Sequence, residues 1–234
     1  MTNKPIMIVS SFDEVPAMLR ADGVAAVIVR PTYKSRPTPF LAQVADLSGP
    51  LVQGNRTSLQ APWQHDFGIN YTRVMRNSWR DPFAGEWFGN LLHAHELVQN
   101  MGEYNMAHIA WHSVDTDKAA FPLVPHIHTN SLRAYGIYSG RRLLAAVKSE
   151  DYGALEVRHN LPSSARDGAL SEAQFLKKYR GQLAKVRPGD FVFVLGAQEA
   201  QAKGAPPIVM HSMPSKPDSR LAYGQIVCCR EAQI

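Results

Sequence analysis

Residues 125–140 read PHIHTNSLRAYGIYSG, and how this stretch is read decides the fold. His126 and His128 stand one residue apart and lead into SLRAYGIYSG, where polar and apolar residues alternate. A period of two marks a half-buried strand. On a strand, residues i and i+2 point to the same side, about 6.7 Å apart along the chain. Two imidazoles so placed can converge on one ion at about 2.1 Å from each nitrogen. The spacing alone is a weak signal. Nine histidines in 234 residues give roughly a third of one such pair by chance.

The alternating texture continues in both directions. Upstream, NMAHIAWHSVD (105–115) sets Met106, His108, Ala110 and His112 against Ala107, Ile109 and Trp111. Downstream, RRLLAAVKS, ALEVRH, FVFVLG, PPIVMHSMP and RLAYGQIVCC read as further short strands, with VRPGD (186–190) as a turn. Many short strands punctuated by Pro and Gly argue for a barrel or a sandwich.

Helices flank this set. SSFDEVPAMLRADG (10–23) has capping-box spacing at Ser11 and Glu14, and Gly23 can stop it. GVAAVIVR (23–30) follows as a short buried strand. DPFAGEWFGNLLHAHELVQNMG (81–102) is the clearest helix: Asp81 can cap it, Pro82 takes its first position and Gly102 follows its end. Phe83, Trp87 and Leu91 share one face of it, and Phe88, Leu92 and Val98 extend the stripe. Its His93 and His95 form a second H-x-H, but on a helix they lie about 200° apart and cannot chelate together. SEAQFLKKYRGQL (171–183) reads as a helix with Ser171 as cap and Phe175, Leu176, Tyr179 and Leu183 on the inner stripe. Residues from about 32 to 78 read as loops with helical pieces. The expected class is α+β, one domain over 1–234. A helical and mixed part of about 1–103 packs on a β-barrel part of about 104–234.

Bulk composition narrows the function classes. At 45% hydrophobic the chain can build one sizeable core, and at 19% charged without like-charge blocks it is not a disordered chain. No window approaches 18 apolar residues, and the N-terminus is not a secretory signal, so the expectation is a cytoplasmic protein with no membrane partner. The two cysteines, Cys228 and Cys229, are adjacent and close no useful loop. The net charge of +5 permits an anionic substrate or weak nucleic-acid contact and demands neither, and the expected partner is a small-molecule substrate. Nucleic acid is not indicated, because no recognition motif accompanies the scattered basic residues. A homodimer remains open. No G-x-S-x-G elbow, phosphate-binding glycine loop or H-E-x-x-H helix occurs.

A third candidate ligand sharpens the metal reading. His211 sits in PPIVMHSMP, at the end of a late apolar strand that a barrel can bring beside the first pair. Two ligands from one strand and a third from another cap one side of an ion and leave the other open, the logic of the facial triad at non-haem iron. Iron, zinc, copper and nickel all suit three imidazoles.

From His108 to Val227 the order of these features resembles the double-stranded β-helix of the cupins and the iron- and 2-oxoglutarate-dependent oxygenases. It is also similar to a bacterial family of uncharacterised proteins with a His-x-Asp pair, a Gly-Asp strand, a His-Ser element and an Arg-Leu strand. Here His126-Ile127-His128, Gly189-Asp190, His211-Ser212-Met213-Pro214 and Arg220-Leu221 take those places. The resemblance implies a double-stranded β-helix with flanking N-terminal helices, Fe(II) or another divalent transition metal on His126, His128 and His211, and 2-oxoglutarate as a co-substrate. It also implies that Arg220 grips the far carboxylate with two parallel hydrogen bonds, with Tyr223 lining the pocket. The sequence departs from the oxygenase pattern at His128, where an acid is usual. Asn130, in a shifted register, supplies only a neutral amide. It departs from the cupin pattern in having no Glu soon after the pair. His108 and His112 would orient the ligands if their strand borders the site.

The leading expectation is a metal-dependent oxygenase with catalytic His126, His128 and His211. A non-catalytic cupin-like binding module with a vestigial site is the second, and a zinc- or nickel-dependent cupin isomerase the third.

Overall fold

The structure is a computed structural model that describes residues 4–38, 81–101, 106–114, 125–128, 132–147, 151, 156–158, 171–213 and 221–229. The loops expected between about 39 and 78, the stop at Gly102, and His65, Asp115, Asp117, Asn130, His159 and Arg220 lie outside the described residues.

The N-terminal segment enters a sheet directly. Strand β1 (Ile6–Val9) runs into a 3-10 turn (Phe12–Glu14), helix α1 (Val15–Arg20) and strand β2 (Ala26–Val29). The turn begins as its residues require. Ser11 Oγ accepts from the Asp13 N–H at 3.2 Å, and the Glu14 carboxylate accepts from the Ser11 N–H at 3.1 Å, a reciprocal cap. The β1–α1–β2 unit pairs its strands in parallel, and every residue of β2 is buried.

Helix α2 (Pro82–Asn100) forms where the capping Asp81 accepts from the Ala84 N–H at 3.2 Å. Its Phe83, Trp87 and Leu91 are buried, as their four-residue spacing implies. His93 is exposed and packs on Phe12 at 5.1 Å between ring centroids.

Among the described residues nine more strands follow: β3 (Met106–Val114), β4 (His126–His128), β5 (Leu132–Ser139), β6 (Arg141–Ala146), β7 (Glu156–Arg158), β8 (Ala184–Val186), β9 (Phe191–Val194), β10 (Ile208–Met213) and β11 (Leu221–Cys229). They form a six-stranded sheet in the order β1-β2-β9-β5-β11-β3 and a five-stranded sheet in the order β7-β4-β10-β6-β8. Apart from the parallel pairs at β1–β2 and β4–β7, the pairing is antiparallel. The protein is thus a mixed α+β chain with a sandwich or barrel-like arrangement of two sheets.

The pairing is nested. Set β7 aside as an edge addition. Of the eight strands that remain after β2, the first pairs with the last (β3 with β11), the second with the seventh (β4 with β10), the third with the sixth (β5 with β9) and the fourth with the fifth (β6 with β8). The chain changes sheets between β5 and β6 at Gly140, whose φ of 81° lies in the left-handed region that glycine enters without steric cost.

Each sheet has an outer helix. Helix α3 (Glu172–Lys178) opens with a second capping box: Ser171 Oγ accepts from the Gln174 N–H at 3.3 Å, and Gln174 Oε1 accepts from the Ser171 N–H at 2.8 Å. Its Phe175, with Tyr179 just beyond, packs on Ile127, Leu143, Ala145, Val147 and Val209, the outer face of the five-stranded sheet. The helix ends at Lys178 rather than at Leu183. A turn in which the Gln182 N–H donates to the Tyr179 carbonyl redirects the chain, and Ala184–Val186 pairs with β6 instead. Sheet pairing overrides helix propensity there. Helix α4 (Ala197–Ala202) follows β9.

Candidate functional site

Strand β4 is where the two expected ligands are placed, and alternation sorts its residues. Ile127 belongs to the outer cluster under α3. His126 and His128, one step to either side, therefore face the space between the sheets. The register agrees: His126 is opposite Met210, a residue of the main core. His126 is 7% exposed. The two imidazole rings lie 5.0 Å apart between centroids and are perpendicular.

The opposite sheet answers with two tyrosines. Tyr135 on β5 is buried, and its hydroxyl shares a hydrogen bond of 3.2 Å with His128 Nε2. Tyr223 on β11 is half-buried, with its ring 6.0 Å from that of Tyr135. Between them reaches Arg142, from the start of β6. Its guanidinium carbon is 3.7 Å from the centroid of the Tyr135 ring and 4.3 Å from that of Tyr223. With the centroids only 6.0 Å apart, the cation sits in the corner between the rings rather than sandwiched between parallel faces.

Arg142 is 3% exposed. Its Nε has no hydrogen-bond partner among the described residues. A desolvated cation–π contact contributes about 2 kcal/mol. Burying an ion costs several kcal/mol even after relaxation. The two rings therefore offset part of that cost and leave the cation short of a negative partner. Arg133, two residues before Tyr135, is buried as well.

The remaining expected residues distribute as follows. Tyr223 joins the cluster. His211 is on β10, its backbone paired with Leu143 of β6, one residue out of step with the Met210–His126 pair. His112 is the residue opposite Tyr223, and His108 is opposite Val227. For these three histidines the described geometry is that of the backbone. Among the described residues, no group of three or more His, Cys, Asp or Glu side chains is gathered as a metal site.

Sequence reasoning missed Arg142 and Tyr135. The available signal was phase. In RRLLAA, Arg142 alternates with Leu144 and Ala146, both of which pack toward the main core. A basic residue in phase with core residues is a buried cation in need of an explanation.

Other polar clusters lie elsewhere. Asp190 binds Arg30 Nε at 3.3 Å and accepts from the Arg187 N–H at 3.0 Å. Burial pushes its carboxyl above the ordinary aspartate value, against the pull of that N–H and of the guanidinium. Near α3, burial and the neighbouring Asp151 push the Tyr179 phenol up to about 12. Both groups hold turns and helix ends in place.

No protein-family model matches the chain, and a search of curated proteins returns no match. Among the described residues, no helix is long and apolar enough to cross a membrane.

Proposed function

We propose that the protein is a metal-dependent oxygenase of the double-stranded β-helix class, with His126, His128 and His211 as ligands of Fe(II). The observation that carries this reading is the His126–His128 pair, two perpendicular imidazoles 5.0 Å apart between the sheets. Two imidazoles bound to one ion at about 2.1 Å place their centroids about 4.6 to 5.3 Å apart for bond angles from square to tetrahedral. The spacing of the two rings is within that range.

The nested pairing of eight strands supports the fold half of the proposal, because it is the order produced when a long antiparallel hairpin rolls into a jelly roll, the architecture of cupins. Strand β10 runs beside β4 with Met210 opposite His126, whereas His211 pairs with Leu143, one step out of that phase, so the ligand role of His211 rests on the sequence resemblance. Bound iron would supply the oxygen chemistry. The chain's own part is to hold the ion, keep one side open and orient a small acidic co-substrate such as 2-oxoglutarate, for which the sequence resemblance points to Arg220.

The test is metal analysis of anaerobically purified protein, with His126→Ala and His211→Ala beside it. Stoichiometric iron that falls in both variants, with oxygen uptake that depends on 2-oxoglutarate, is the expected result. Metal content unchanged in the variants would sink the reading. Zinc or nickel in place of iron would move it to a cupin-type isomerase.

A non-catalytic binding module is the second reading, and Tyr135 favours it. Its hydroxyl already engages His128 Nε2, and a guanidinium cation rests on the same ring. A positive charge beside the histidines opposes a dication and favours an anion. On this reading the purified protein carries no stoichiometric metal.

A further inference from the structure

We propose that Arg142, cornered by Tyr135 and Tyr223, is the anchor of a carboxylate-binding site in the space between the two sheets, one that operates without a metal ion. Its starting point is the guanidinium, 3% exposed, which carries no ion pair among the described residues and whose Nε has no hydrogen-bond partner there. A cation held in that condition is stabilised by a negative group that reaches it.

The arrangement around it selects the ligand. Two sides of the guanidinium lie against aromatic rings, at 3.7 and 4.3 Å. An anion therefore reaches it along its N–H edge. The orphaned atom is Nε, one half of the side-on fork that spans the two oxygens of a carboxylate. A planar carboxylate lies in the plane of that fork and meets the tyrosine rings with its apolar stem. The tyrosine–histidine hydrogen bond at 3.2 Å puts a polar end beside the cation, so that the ligand's first carbons meet phenol and imidazole. This chemistry fits a small organic acid. The site is distinct from Arg220, and it does not depend on the metal reading, since none of its contacts passes through an ion.

The experiment uses the full chain, freed of metal on a chelating resin and kept in chloride buffer at constant ionic strength. Succinate, benzoate and inorganic phosphate are titrated separately by calorimetry and by thermal unfolding. The expected result is saturable binding of at least one carboxylate, with a matching rise in melting temperature and no comparable response to phosphate. Arg142→Met removes the fork and the charge and weakens binding roughly 10- to 100-fold. The same variant without ligand melts at or above the wild-type temperature, because a buried cation has been replaced by an apolar side chain of similar length. Arg142→Lys keeps the charge, loses the fork and also weakens binding, which decides the matter should the methionine variant fail to fold. All titrations are made on metal-free protein, so failure of the metal proposal leaves this one standing. No saturable binding by either carboxylate, equal binding in the Arg142 variants, or an equal response to phosphate overturns it.

Discussion

The Tyr135 hydroxyl and His128 Nε2 meet at 3.2 Å across the gap between the two sheets, and this bond ties the candidate metal pair to the aromatic corner that holds Arg142. Tyr135→Phe removes the hydroxyl and keeps the ring on which the guanidinium rests. Loss of one hydrogen bond costs about 1 kcal/mol of stability. If a metal ion is bound through His128 Nε2, releasing that nitrogen raises affinity, by up to about tenfold on the scale of neighbouring-residue effects. Titration with Mn(II) or Fe(II) under anaerobic conditions reads this. A fall in affinity would show that the hydroxyl supports the ion rather than competing with it.

Gly136 and Gly224 are directly opposite each other on β5 and β11, and together they make a flat patch beneath α2. A Cβ at Gly136 would lie 2.5 Å from Phe191 Cε1, and one at Gly224 would lie 2.6 Å from Leu91 Cδ2. Gly136→Ala and Gly224→Ala each force these side chains to move, at a cost of about 1–3 kcal/mol. Because Trp87 stacks on Phe191 at 5.9 Å and also borders Gly224, the two substitutions are expected to be non-additive. Urea denaturation of the single and double variants checks both statements. Wild-type stability in either single variant would refute the close approach.

Asp81 caps α2 and also accepts from the Tyr138 hydroxyl at 3.4 Å and from the Thr38 hydroxyl. Asp81→Ala removes all three and is expected to cost roughly 1–2 kcal/mol, while Asp81→Asn, which still caps, is expected to cost a few tenths. Denaturant midpoints of the two variants provide the comparison, and equal losses would mean that charge, not capping, is what matters there.

Asp190 supplies a pH dependence. Burial raises its folded pKa above the ordinary 3.8. A raised folded value means that its contribution to stability is fully present below the unfolded pKa and is lost as pH rises through the folded one. Asparagine has no such titration. The stability of wild type minus that of Asp190→Asn should therefore decline as pH rises from below 3.8 through the raised value. Denaturation curves at a series of pH values measure this difference. A difference that grows with pH would show that the Arg30 pairing outweighs burial.

Much of the local structure was legible in the sequence because its causes are local. The reciprocal caps at Ser11–Glu14 and Ser171–Gln174 join residues three apart. The buried stripe of α2 follows from a four-residue period, and the alternation that marks β3, β5, β6 and β11 from a two-residue period. By itself the sequence thus determined where most helices and strands form, and that His126 and His128 share one side of a strand. Strand β8 and the early end of α3 were not legible. The apolar spacing of residues 171–183 runs on past Gly181, whereas the chain turns at Tyr179–Gln182 and pairs Ala184–Val186 with β6. Tertiary structure also decided which strands adjoin, which face of β4 is enclosed, and that Tyr223 and Arg142 gather on Tyr135, whose hydroxyl bonds His128. Those contacts join residues from both sheets. They depend on burial and on backbone pairing between distant segments, and no periodicity within one segment encodes them.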